Sequence, residues 1–281
     1  MNWRAVSTTA FALLMFAANS LLCRMALGAG AIDAASYSTV RIASGALMLV
    51  VIAIVRHRGM SQGIGGDWPS ALYLFLYAVP FSFAYNGLTT GTGALILFGC
   101  VQATMLLAAW RSGERASAWQ WGGLAIALCG LVHLLLPGLQ APPPMPALLM
   151  AVAGAAWGLY TLRGRGAGDP LLRTSGNFTR AVPLVLLVSL IGWSSMAIER
   201  KGVLLAALSG AGASALGYVA WYAAMKHLSA TRAAILQLFV PILAAVAGVL
   251  VLAEPFGLRL GLATVLVLGG VALTLRKTRS T

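Results

Sequence analysis

Apolar residues run along this chain in blocks of about 20, the length that crosses a bilayer as a helix. Polar residues collect in the short gaps between the blocks. Ten blocks fit: residues 3–26, 33–55, 68–88, 91–110, 118–136, 145–163, 178–197, 202–225, 231–252 and 257–276. The pattern predicts an all-α membrane protein with ten transmembrane helices and no soluble domain. The longest gaps are His57–Asp67, Pro137–Pro146 and Arg163–Asn177. Pro142, Pro143 and Pro144 cannot continue a helix, and they divide the chain near its middle. The first block follows Arg4 as in a secretory leader. It is near span length and more apolar blocks follow, so a retained first helix is expected.

Composition turns the pattern into a requirement for lipid. The chain is 60% hydrophobic and 9% charged, against about 45–50% and about 25% for soluble domains. The net charge of +13 would suggest nucleic acid in a soluble protein. Here the basic residues sit between apolar blocks and write topology instead. With the N-terminus in the cytoplasm, only Arg24, Arg41, Arg200, Lys201 and Arg259 fall outside, and the other 14 of the 19 Lys and Arg fall inside. This bias predicts a bacterial inner-membrane protein with both termini cytoplasmic. Cys23, Cys100 and Cys129 are odd in number, show no CxxC spacing and lie in apolar blocks. They read as packing residues rather than a disulfide or zinc framework.

The two halves resemble each other. Thr89–Arg115 lines up with Ser229–Pro255 at an offset of 140, which registers Ala94 with Ala234 and Glu114 with Glu254. Arg24 meets Arg163 and Arg41 meets Arg180 at an offset of 139. Five spans per half would insert the second copy upside down, as in many secondary transporters with a midplane site between repeats. The expected units are 1–140 and 141–281, two inverted five-helix repeats around a central cavity. The five-plus-five plan resembles the EamA-type branch of the drug/metabolite transporter superfamily. So do Gly113–Arg115 and Ala253–Pro255 at the ends of the fourth and ninth spans, and the glycine-rich fifth and tenth spans. In detail the chain is similar to bacterial aromatic amino-acid exporters of that branch. The resemblance implies a cavity bordered by spans 1, 3, 4, 6, 8 and 9, with spans 5 and 10 as scaffold.

Candidate pathway residues follow from helical spacing. Tyr73, Tyr77, Phe81 and Tyr85 recur every four residues on the third span, one drifting stripe. Tyr218, Trp221 and Tyr222 form one compact face of the eighth span, and the 140 offset pairs Phe81 with Trp221. Trp157 and Tyr160 stand three apart on the sixth. Tyr73 and Tyr85, near span ends, fit an interfacial belt. Tyr77, Phe81, Trp157 and Tyr218 lie deeper, where stacking on a substrate and ordinary packing are both open readings. Asn19, Gln102 and Gln237 are rare amides within spans, and they serve either as interhelical glue or as substrate contacts. Gln237 precedes Pro241, which frees a backbone carbonyl. Pro80 does the same near Tyr77. Arg24 and Arg41 near the outer face either attract a carboxylate or snorkel to headgroups. Glu114 and Glu254 are expected to pair with a nearby arginine such as Arg111 or Arg259.

Other functions lack their residues. No GxSxG, HExxH or GxxxxGK[ST] occurs, so neither hydrolase, zinc protease nor ATP-driven pump is indicated. His57, His133 and His227 share no spacing that suggests a metal. No cofactor is expected, and the partners expected are a small-molecule substrate and the bilayer, with the chain a monomer. A nucleotide-sugar carrier would place Lys or Arg deep in the cavity, whereas Lys226 and Arg232 lie at its mouth. A cation antiporter would carry an early buried carboxylate, and the first span has none. These other metabolites and drugs remain the alternative cargo.

Overall fold

A computed structural model describes residues 3–57, 65–111, 118–136, 141–164, 168–225 and 236–274. The regular structure of the described residues is helical, apart from one isolated bridge between Ile32 and Ile198. The helices are α1 (Trp3–Gly28), α2 (Ala34–His57), α3 (Trp68–Ala84), α4 (Thr90–Arg111), α5 (Ala118–Leu135), α6 (Pro144–Arg163) and α7 (Pro170–Ile191). A 3-10 turn at Trp193–Ser195 leads to α8 (Arg200–Ala207). A π-helical stretch, Leu208–Leu216, joins α8 to α9 (Gly217–Met225), and α10 (Phe239–Leu252) and α11 (Leu258–Thr274) follow. Seven helical segments are long and apolar enough to span a bilayer, with α8 through α9 as one. Three shorter apolar helices, Trp68–Ala84, Phe239–Leu252 and Leu258–Leu273, accompany them. The protein is a multi-pass membrane protein.

Each expected block contains a helix, but the seventh is displaced. Hydropathy predicts a span at residues 178–197, whereas α7 runs Pro170–Ile191. Its start is set by Asp169, whose carboxylate accepts from the Leu171 N–H, followed by Pro170 at the first turn, a position that proline favours. Hydropathy misses this turn because Thr174, Ser175 and Asn177 are polar yet buried against protein. The same device starts α3, where Asp67 accepts from the Ser70 N–H at 2.8 Å. Residues 231–235 of the ninth block lie outside the described residues.

Packing separates a core from a lipid-facing rim. α6 packs on α3 and α4, while α1 packs on the π stretch, α9 and α10. α2 packs on α7, and α5 packs on α11. Glycines let backbones meet at these crossings. A Cβ on Gly154 would press on the Leu97 carbonyl of α4, and one on Gly158 would meet Thr104. A Cβ on Gly261 would meet only Phe256, so this glycine makes no such crossing. The outer faces of α5, α7, α10 and α11 leave Val132, Leu190, Ile191, Leu250 and Val265 exposed, a surface that only lipid covers without cost. Trp68, Trp110, Trp121 and Trp193 are exposed near helix ends, where tryptophan anchors a span at the interface. Tyr85, expected in that belt, is instead fully buried, because its ring packs edge-on against Phe81.

The loops sort onto two faces. Residues 65–67 and 168–169 lie with the start of α1 on the N-terminal face. Residues 29–33, 85–89, 192–199 and 253–257 form the distal face, where the Asp33 N–H donates to Ala197 and the Glu199 N–H to Ala31.

Candidate functional site

The third, sixth and eighth spans bring their aromatic residues to one place. Tyr77 and Phe81 sit on the buried face of α3, Trp157 on α6 and Tyr218 on α9. With Phe16, Asn19 and Ser20 of α1 and Leu97 and Phe98 of α4, they line a small central cavity. Trp157 is its hub. The ring centres of Tyr77 and Tyr218 lie 4.9 and 4.8 Å from it, and Tyr160 stacks on it at 5.5 Å. Phe16 meets Trp157, Tyr218 and Trp221 edge-on at 6.2, 5.9 and 5.7 Å. Free volume is about 10 Å³, room for about one water molecule. Anything larger than a water molecule fits this space only when the rings or helices move apart.

A polar chain runs along one wall. Ser209 of the π stretch donates to Asn19 Oδ1. Asn19 Nδ2 donates to the Tyr77 hydroxyl at 3.1 Å. Arg41 Nη2 donates to the same hydroxyl at 2.9 Å, and Arg41 Nε to Ser214 Oγ at 3.3 Å. The guanidinium carbon lies 5.1 Å from the Tyr77 ring centre and 4.8 Å from that of Phe81, within cation–π range. Arg41 is 1% exposed. This corrects the expectation that basic residues sit only at the mouth. Arg41 stands seven residues into α2, about 10 Å below its end at 1.5 Å per residue. Nearby acceptors and π-faces hold it there, so it does not snorkel.

The remaining candidates divide. Tyr160 accepts from Asn177 Nδ2 at 3.3 Å, which ties α6 to α7 beside the cavity. Trp221 is buried against Phe16 rather than lining the free space. Tyr222 is half-buried, with its hydroxyl near Gly164. Gln237 is buried but not among the lining residues. Phe16, Ser20, Leu97 and Phe98 were not singled out in the sequence. Phe16 has no aromatic neighbour three or four residues away on its helix, and Leu97 and Phe98 lie in a uniformly apolar run, so neither leaves a pattern.

Both faces carry polar closures. On the distal face Arg24 Nε pairs with Glu254 Oε1 at 3.2 Å, and Arg24 Nη1 donates to the Tyr85 carbonyl at 3.0 Å. Glu254 Oε2 accepts from the Thr90 N–H at 2.8 Å. The expected partner Arg259 instead donates to the His133 and Leu136 carbonyls, because the left-handed turn at Ala253 aims Glu254 toward α1 and α4. Glu114 lies outside the described residues. On the N-terminal face Asp67 pairs with Arg163 at 3.2 Å and Arg173 at 3.5 Å, and its N–H donates to Asn177 Oδ1. Burial opposes ionisation of Asp67, but hydrogen bonds from the Ser70 N–H and hydroxyl and from Arg163 outweigh it and hold the carboxyl below the usual range. This closure is thus complete at neutral pH and is lost only as acid protonates Asp67 below the ordinary carboxylate range. Beyond the distal closure a cavity of about 320 Å³ opens between Gly87–Thr89, Pro142–Pro143 and Pro255–Leu260. Among the described residues, no three of His, Cys, Asp and Glu come together.

Three similarities bear on this geometry. A Pseudomonas aeruginosa protein described as uncharacterized is 51% identical over 272 residues, covering 97% of this chain and 94% of that one. A solved crystal structure, 19% identical, superposes with a TM-score of 0.69 over 96% of this chain and 94% of its own, which shows a shared fold. Residues 144–276, the α6–α11 half, match the EamA-like transporter family. That half is thus similar to membrane transporters of the EamA-like family.

Proposed function

We propose that this membrane transporter exports small amphipathic metabolites, first among them aromatic and hydrophobic amino acids, by alternating access across the bacterial inner membrane. The observation that carries the reading is the aromatic cavity around Trp157, with polar closures toward each face. Tyrosine and tryptophan offer flat faces to stack on and polar tips to hold a headgroup. No described acid lines the cavity, which disfavours lipophilic cations. Two inverted five-helix repeats are the proposed architecture. Exchanging the halves maps α3 on α6 to the eighth span on α1, and α4 on α6 to α10 on α1; α2 on α7 and α5 on α11 map to themselves. These pairings support a two-fold axis in the membrane plane.

Reconstituted liposomes loaded with a panel of amino acids, sugars and lipophilic cations test the reading. Aromatic amino acids are expected to leave fastest, and a panel in which none moves would end it. Trp157→Ala, Tyr77→Ala and Trp221→Ala are expected to lower apparent affinity a few-fold to about tenfold, since a ring contact contributes about 0.5–1.5 kcal/mol beyond its area. Unchanged flux in all three well-expressed variants would reduce the rings to packing. Transport is expected to run downhill without tight proton coupling, because such coupling usually uses an intramembrane acid or histidine. Uphill accumulation driven by a pH gradient and abolished by a protonophore would refute that. A topology reporter fused after Thr281 should be active only in the cytoplasm.

A further inference from the structure

We infer that Arg41 is the carboxylate anchor of the central cavity, so that the cargo class is monocarboxylates with an aromatic or apolar body. The inference rests on the transport reading above and goes one step deeper into the same site.

A buried guanidinium is costly unless its charge and all its donors are matched. Arg41 has no described acid as partner. Its Nη1 is buried with no hydrogen bond, and its other donors reach only two neutral hydroxyls, those of Tyr77 and Ser214. Its repeat counterpart is satisfied differently: Arg180 Nη1 donates to the carbonyls of Gly65 and Gly176. The Tyr218 hydroxyl and the Trp221 Nε1 are also buried without partners. Tyr218 lines the cavity and Trp221 packs against Phe16 in its wall. The site thus holds one fixed positive charge, three unused polar atoms and a set of aromatic faces.

A single carboxylate answers this arrangement. Its two oxygens match the planar fork of the guanidinium. In the closed structure the Tyr77 hydroxyl occupies part of that fork, and the Tyr77 and Phe81 rings lie between the charge and the cavity. A carboxylate that displaces the hydroxyl replaces a neutral acceptor with an ionic one, an exchange worth roughly a doubling of hydrogen-bond strength. Displacement would also release Tyr77 from Arg41 and Asn19 and loosen the wall that faces Trp157. The cargo's ring then takes a place among Phe16, Trp157 and Tyr218. Nothing described in the cavity is charged to receive an ammonium group, so the amino group of an amino acid is carried without being required. A deaminated analogue should bind at least as well as the amino acid.

The test is equilibrium binding to the purified protein in lipid nanodiscs, with 3-phenylpropionate, phenylalanine, 3-phenylpropanamide and 2-phenylethylamine as probes. In the unaltered protein 3-phenylpropionate is expected to bind about tenfold or more tightly than its neutral amide, as for a hydrogen bond to a charged group. It should bind no more weakly than phenylalanine, and the amine should bind weakest. Arg41→Gln should abolish the preference of acid over amide, and Arg41→Lys should keep part of it. Equal binding of acid and amide overturns the inference with no variant needed. So does the absence of saturable 3-phenylpropionate binding at millimolar concentration, and so does inorganic phosphate that competes as well as the carboxylate. The two readings fail separately. Acid preference that depends on Arg41, with no probe crossing a liposome, keeps the anchor and ends the transport reading. Flux of amide and acid alike, indifferent to Arg41→Gln, does the reverse.

Discussion

Gly210→Ala is expected to part α2 from the eighth span and abolish transport, whereas Gly212→Ala is expected to change neither. A Cβ on Gly210 would collide with the Arg41 carbonyl oxygen and the Ser44 hydroxyl. Backbone cannot retreat as a flexible side chain can. On the facing side a Cβ on Gly45 would collide with Phe178 and approach the Gly210 carbonyl. Two helices therefore touch nearly backbone to backbone just where Arg41 is delivered to its partners. Overpacking of this kind costs about 1–3 kcal/mol and sometimes more. The strain falls on the residue that carries the buried charge. Gly212 lies in the same π stretch with nothing within 4 Å of its would-be Cβ, so it controls for any general effect of alanine there. Thermal unfolding in detergent and liposome efflux check the pair. Matching midpoints and efflux in the two variants would show that the close approach is dispensable.

The contrast between these glycines indicates which features a sequence carries. Both stand in a Gly/Ala/Ser run, and nothing local distinguishes them; the helix opposite does. The same holds at the cavity. Tyr77 and Phe81, or Trp157 and Tyr160, announce themselves because helical spacing puts each pair on one stripe, and that spacing is local. Arg41 was legible as a basic residue near a span end but not as a buried one. Its depth depends on α2 beginning at Ala34, and its retention depends on Tyr77 and Ser214, which other spans supply. Hydropathy treats arginine and asparagine as boundary marks. It therefore starts the seventh span just after Asn177, although Asn177 is an interior residue of α7 that bonds Asp67 and Tyr160. The apolar helices were readable because each depends on lipid, which every such helix meets in the same way. The polar contacts were not, because each is a meeting of distant segments.

Glu254→Gln is expected to weaken the distal closure and expose Cys23. The carboxylate joins four elements: it pairs with Arg24 of α1, accepts from the Thr90 N–H at the start of α4, follows the end of α10, and through Arg24 reaches the Tyr85 carbonyl beyond α3. Its side chain is 10% exposed and that of Arg24 is 25%, so the pair is only partly screened by water. The start of α4 also favours negative charge, since unpaired N–H groups and the helix dipole converge there. The substituted amide would keep the shape and an acceptor but lose both charge effects. A loss of about 1–2 kcal/mol corresponds to a factor of roughly 5–30 in the open population. Cys23 reports on opening because it adjoins Arg24 in α1 and is 0% exposed in the closed form. With Cys100 and Cys129 replaced by serine, maleimide labelling of Cys23 should accelerate by about that factor in the Glu254→Gln variant. Arg24→Gln should accelerate it similarly, and the double variant should add little, because both changes remove one interaction. Labelling at the unaltered rate in all three would make the pair a structural tie that does not hold the distal side shut.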